Sequence, residues 1–107
     1  MRADACSFFL AVAVVALSCT GAIAQSSGEA IYKAKCASCH GPDGMANTSI
    51  GKALKVKPIS DPTVKSQSQQ KMNESVANGE GKMPPFKGKL TEKEIHDSVA
   101  HFRAFLK

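Results

Sequence analysis

The chain has 107 residues, 43% of them hydrophobic, with 14 basic and 9 acidic side chains for a formal charge of +5. That length admits one small domain and excludes a multidomain enzyme. One Tyr, no Trp and a Lys-dominated charge with no Arg cluster leave nothing to stack on bases or read them, so the basic balance points to an acidic protein partner rather than nucleic acid.

From Ala5 to Leu17 the chain is apolar apart from Ser7, a run of signal-peptide length that is short for a membrane span. Ala22-Ile23-Ala24 follows as a small-x-small cleavage signature. The expected organisation is a cleavable secretory signal peptide over residues 1–24 and one domain over 25–107, exported to a periplasm and not stably inserted in the membrane after cleavage. The alternative is a form anchored through an uncleaved or lipidated N-terminus at Cys19, but Ala16 stands where a lipoprotein signal places a bulky aliphatic. Cleavage removes Cys6 and Cys19 and leaves Cys36 and Cys39 as the only thiols. One bridge across so short a loop stabilises little, so a domain of this size needs another staple, and a cofactor is the obvious one.

In chain order, Ser26 and Glu29 have capping-box spacing and predict a first helix over Gly28–Cys36. Gly41-Pro42-Asp43-Gly44 is turn chemistry and opens an irregular segment reaching to about Pro58, a long loop of the kind that wraps a ligand. Asp61-Pro62 reads as an N-cap followed by proline at the first helical position, and the helix is renewed near Ser68. Met72 and Val76 give this piece an apolar face, and Asn78-Gly79 stops it. A loop from Glu80 to Leu90 carries Met83-Pro84-Pro85-Phe86. Thr91 and Glu94 form a second capping box, opening a last helix whose stripe is Ile95, Val99, Phe102 and Leu106. No alternating strand pattern, repeat or low-complexity tract is present, so the fold class is all-α.

Cys36-Ala37-Ser38-Cys39-His40 is the c-type haem attachment pattern. Two thiols at this spacing add to the two vinyl groups on one haem edge, and the next residue presents an imidazole to the iron. A thioredoxin-type reading fails for want of a strand before the motif. A zinc site built from Cys36, Cys39, His96 and His101 is a second rival, but the two histidines lie about 140° apart around an ideal helix. For the other axial position, Met45 is too near, since five residues span at most about 17 Å. Met72 reads as core filler in a helix, and His96 and His101 as helix residues. Met83, in a loop stiffened by two prolines, is the expected partner of His40.

Together with Gly28-x-x-x-Tyr32, Gly51-x-x-Leu54, Lys82-Met83-Pro84-Pro85-Phe86 and Val99-Ala100-His101-Phe102-Arg103, the motif makes the whole chain after the leader resemble a class I c-type cytochrome of the small bacterial kind. The resemblance implies a small cytochrome c fold, three to four helices with long loops around one covalently attached haem c. It also implies contact between Gly28 and the Val99–Phe102 stretch of the last helix, where His101 replaces the usual tyrosine. A backbone carbonyl at or near Pro58 would accept a hydrogen bond from the second nitrogen of His40. Leu54, Phe86, Leu90 and Phe102 would then be wall residues.

A His/Met-ligated iron has no open position, which favours one-electron exchange between Fe(II) and Fe(III) over catalysis. The expected function is a monomeric, exported electron carrier, not an enzyme, working between redox protein partners. Lys52, Lys55, Lys57, Lys82, Lys87 and Lys89 flank the segments expected to enclose the haem and would steer an acidic partner. The alternatives are a haem enzyme or ligand sensor that opens the sixth position, and a zinc-stapled Cys/His interaction module without haem.

Overall fold

The structure, a computed structural model, describes residues 27–107. The expected signal segment, Cys6 and Cys19 lie outside them. The described residues form helices and loops with no strand beyond isolated bridges. Three helices have eight or more residues: α1 (Gly28–Lys35), α5 (Gln69–Asn78) and α6 (Glu92–Ala104). Three are single turns: α2 (Ala37–His40), α3 (Ser49–Ala53) and α4 (Pro62–Lys65).

The cap of α1 is Ser27, whose hydroxyl accepts from the Ala30 N–H at 3.2 Å. Ser27 is therefore the cap, and Ser26, expected from the box spacing, lies outside the described residues. Glu29 is thereby released and pairs along the helix with Lys33 at 2.7 Å, an exposed contact of small energetic value. Close packing accounts for the helix start, because Gly28 lies against the Asp97 carbonyl of α6 and a Cβ there would overlap it. The crossing therefore meets α6 earlier than expected. Tyr32, one turn along α1, takes the stretch assigned to Gly28: its ring lies 5.3 Å from His101, 6.0 Å from Phe102 and 5.4 Å from Phe105, centroid to centroid. His101 thus fills the aromatic position with its own ring.

The loop after His40 is less irregular than its composition suggests, since it contains α3. Thr48 caps that turn, accepting from the Gly51 N–H at 2.9 Å while its hydroxyl donates to the Ser38 carbonyl at 2.7 Å. Gly51 sits where a Cβ would overlap the Cys39 carbonyl, so α3 is pressed against α2. Five residues carry too little periodicity to be seen in the sequence.

The other caps fall as read. Asp61 starts α4, Ser68 starts α5, and Thr91 with Glu94 closes a complete capping box on α6. Gly79 ends α5 at φ +78°. The stripe of α6 holds for Ile95, Val99 and Phe102 but not for Leu106, which is 44% exposed. The helix ends at Ala104 and its last turn tightens, with the Phe105 N–H donating to the Phe102 carbonyl at 3.3 Å, so Phe105 reaches the core in its place. That core is small: Ile59, Met72, Ile95 and Val99, with Val64, Val76, Leu90, Phe102 and Phe105 packed partly against it.

Candidate functional site

Between these elements lies a cavity of about 930 Å³. Cys36, Cys39 and His40 line it from α2 and its cap, Met72, Ser75 and Val76 from α5, Ser98, Val99 and Phe102 from α6, and Met83, Pro84 and Phe86 from the loop that follows α5. Leu54, Val56 and Val64 add apolar wall from the segment between α2 and α5.

Local geometry brings the motif to one place. Cys36 ends α1, its N–H donating to the Tyr32 carbonyl at 2.9 Å, and its own carbonyl accepts from the N–H groups of Cys39 (3.2 Å) and His40 (2.9 Å). Cys36 and Cys39 form no disulfide, so both thiols are available for haem attachment. Burial pushes the Cys36 thiol up to about 11, with the neighbouring Cys39 adding to the shift, so it is protonated at neutral pH. His40 is shifted the other way: burial lowers its pKa and favours the neutral imidazole, which keeps a lone pair for a metal. Its Nδ1 is buried without a hydrogen-bond partner among the described residues. The bond expected from Pro58 is absent, the Pro58 carbonyl instead accepting from the Asp61 N–H at 2.9 Å.

The Met83 loop is held by backbone at both ends. Met83 and Glu80 exchange two hydrogen bonds, of 2.9 and 3.1 Å, while the Phe86 and Lys87 N–H groups donate to the carbonyls of Val76 and Ala77 at the end of α5, each at 3.0 Å. Met72 also lines the cavity, though at 6% exposure it belongs to the core cluster as well. Met45 is exposed and does not reach the site.

Two paired thiols, a neutral buried imidazole with an unsatisfied nitrogen, and a thioether around one largely apolar cavity are a donor set that fits haem. Comparison with known proteins agrees. A family model described as cytochrome C oxidase, cbb3-type, subunit III matches residues 24–102. The chain belongs to the c-type cytochromes. As a member of that family it carries covalently bound haem c and serves electron transfer. Among solved structures, the KustC0563 c-type cytochrome is 32% identical at a TM-score of 0.67, the match covering 74% of this chain and 96% of that one. Cytochrome c6 from the diatom Phaeodactylum tricornutum is 28% identical at 0.54, over 72% of this chain and 87% of that one. The c-type cytochrome XoxG from Methylobacterium extorquens AM1 is 29% identical at 0.56, over 75% of this chain and 48% of that one. The comparison with curated proteins gives no match.

The zinc alternative does not assemble. Among the described residues no three His, Cys, Asp or Glu side chains come together as a metal group. His96 is exposed beside Asp97, while His101 packs between Tyr32, at a tilt of 53°, and Phe105, edge-on at 77°.

Of the expected wall residues, Leu54, Phe86 and Phe102 line the cavity, whereas Leu90 packs on the core instead. The reading of the chain missed Tyr32, Val56, Val64 and Val99 as wall. Only the last had a visible signal, its place on the α6 stripe. Of the lysines expected to flank the site, Lys55, Lys57 and Lys82 line the cavity, joined by Lys35 from α1, while Lys52, Lys87 and Lys89 do not.

Proposed function

We propose that this cytochrome is an exported one-electron carrier in which Cys36 and Cys39 hold the haem through two thioether bonds and His40 and Met83 are the axial ligands of its iron. The observation that carries the reading is that all four residues, from elements separated in sequence by α3, α4 and α5, line one cavity. The haem, when bound, supplies the Fe(II)/Fe(III) couple. His40 provides a neutral nitrogen donor, favoured by its burial. Met83 offers a thioether on a loop clamped to α5, and Val, Leu and Phe side chains supply the apolar part of the wall. A clamped sixth ligand leaves no position for substrate, which favours a carrier over an enzyme.

Four exposed lysines, Lys35, Lys55, Lys57 and Lys82, line the cavity against one acidic residue, Glu80. Such a rim suits a redox partner with an acidic docking surface. Export rests on the leader-like residues 1–24, and no helix among the described residues is long and apolar enough to cross a membrane.

Expression with an export and haem-attachment system tests the reading. Intact mass should equal the polypeptide from Gln25 to Lys107 plus one haem, and the visible spectrum should show sharp low-spin ferrous bands with the weak far-red band of thioether-to-iron ligation. Polypeptide mass alone would overturn it.

A further inference from the structure

Tyr32 is the only tyrosine of the chain and, among the described residues, one of the two most deeply buried large side chains, at 1% exposure. A hydroxyl carried to that depth costs stability unless it is bonded. It donates to the Gly41 carbonyl at 2.6 Å, across nine residues of sequence. Gly41 directly follows His40, is itself buried, and has φ +83°, a conformation glycine adopts without strain. Its carbonyl belongs to the peptide linking it to Pro42, which has no N–H of its own to offer a neighbour.

The backbone around His40 is held from several directions. On its N-terminal side the His40 N–H donates to the Cys36 carbonyl at 2.9 Å, and on its C-terminal side the His40 carbonyl accepts from the Ala46 N–H at 2.8 Å. These bonds are local, as are those of Gly41 itself, whose N–H donates to the Ala37 carbonyl at 2.8 Å and whose carbonyl also accepts from the Gly44 N–H at 3.2 Å. The Tyr32 hydroxyl is different, because it joins the peptide after Gly41 to α1 and, through α1, to α6. The same residue approaches the imidazole by a second route. The Tyr32 ring is stacked on Phe102 at 6.0 Å and 22°, and Phe102 meets the His40 ring edge-on at 5.2 Å and 63°. With His40 Nδ1 unpartnered, no side-chain hydrogen bond orients that ring. Among the described residues, backbone placement and the edge-on Phe102 contact are the protein's constraints on that ring.

We propose that Tyr32 is a positioning residue for His40, its hydroxyl fixing the chain just beyond the ligand and its ring fixing Phe102 against the imidazole. The proposal rests on His40 being an axial ligand of the haem iron. Burial raises the Tyr32 pKa, chiefly by desolvation and further through Cys36 and Asp43, so the hydroxyl stays a donor throughout the physiological range.

The test is electron paramagnetic resonance of the ferric holoprotein, whose largest low-spin g-value responds to the orientation of the axial imidazole, alongside thermal denaturation. The variants are Tyr32→Phe, which keeps the ring and removes the hydroxyl, and Phe105→Leu, which loosens the same aromatic cluster without touching Gly41. Tyr32→Phe should retain one covalent haem by mass but shift the low-spin signal or split it into two species. Phe105→Leu should lower the melting temperature and leave the signal in place. An unchanged signal in Tyr32→Phe, or equal shifts in both variants, would overturn the proposal. Because the chain has one tyrosine, growth on 3-fluorotyrosine supplies a substitution that cannot fail through lost packing. Its more acidic hydroxyl is a stronger donor to Gly41, so the signal should move in the opposite sense to that of Tyr32→Phe, and no movement counts against the idea. Absence of haem from the parent protein would defeat the ligand assignment itself, an outcome distinct from each of these.

Discussion

Gly79 and Met83 touch through backbone: a Cβ placed on Gly79 would lie 2.8 Å from the Met83 carbonyl oxygen and 3.0 Å from the Pro85 nitrogen. The residue that stops α5 is thus also the seat of the loop carrying the proposed sixth ligand. Its φ of +78° adds a second reason for glycine, since an L side chain is strained there as well as crowded. Gly79→Ala should therefore cost more than about 1 kcal/mol and displace Met83. The expected signature is a weakened or lost far-red band with haem still attached, measured beside the melting temperature. A full-strength band in a destabilised protein would show that the loop does not depend on this contact.

Replacing Met83 itself by Ala should leave the haem attached, because attachment requires only the motif around Cys36 and Cys39. The far-red band should disappear, the reduction potential should fall as a harder ligand enters, and cyanide should bind faster. Met72→Ala is the necessary comparison, because Met72 lines the same cavity. At 6% exposure it should cost about 2–5 kcal/mol in packing and leave the band intact. The reverse pattern of bands would move the ligand to Met72.

Without haem the chain should be largely unfolded. The buried hydrophobic residues among those described are Ile31, Tyr32, Ala46, Ile59, Met72, Ile95 and Val99, too few to stabilise a domain built around a cavity of about 930 Å³. Circular dichroism of the Cys36→Ala, Cys39→Ala double variant, produced without haem, should show low helicity and no cooperative melt. Native-like helicity with a sharp transition would mean that the protein core suffices.

Asp61 should contribute to the acid limb of stability. Its carboxylate accepts from the Thr63 hydroxyl at 2.6 Å and the Thr63 N–H at 2.8 Å, and these bonds hold its pKa below the ordinary value of 3.8. Folding therefore favours the ionised form. The stabilisation is complete above the ordinary value and is lost as pH falls through the lower folded value. Asp61→Asn keeps an acceptor for the cap but does not titrate, so holoprotein stability followed from pH 5 downward should fall less steeply than in the parent. Parallel curves would remove Asp61 from the acid response.

What the sequence determined by itself was everything carried by short covalent spacing. The haem motif at Cys36–His40 works within one helical turn. The caps at Asp61, Ser68 and Thr91 are each satisfied by a backbone N–H two or three residues on. The stop at Gly79 and the α6 stripe through Ile95, Val99 and Phe102 belong to the same class. Tertiary structure decided where faces meet. Gly28 is set against Asp97 and Tyr32 against His101, Phe102 and Phe105 because the depth at which two helices cross depends on both surfaces. Phe105 rather than Leu106 completes the core, since packing selects between neighbours whose local propensities are nearly equal. The division of Leu54 and Leu90 between cavity wall and core follows the same rule: an apolar side chain seeks burial, and only the assembled fold determines which apolar surface it finds.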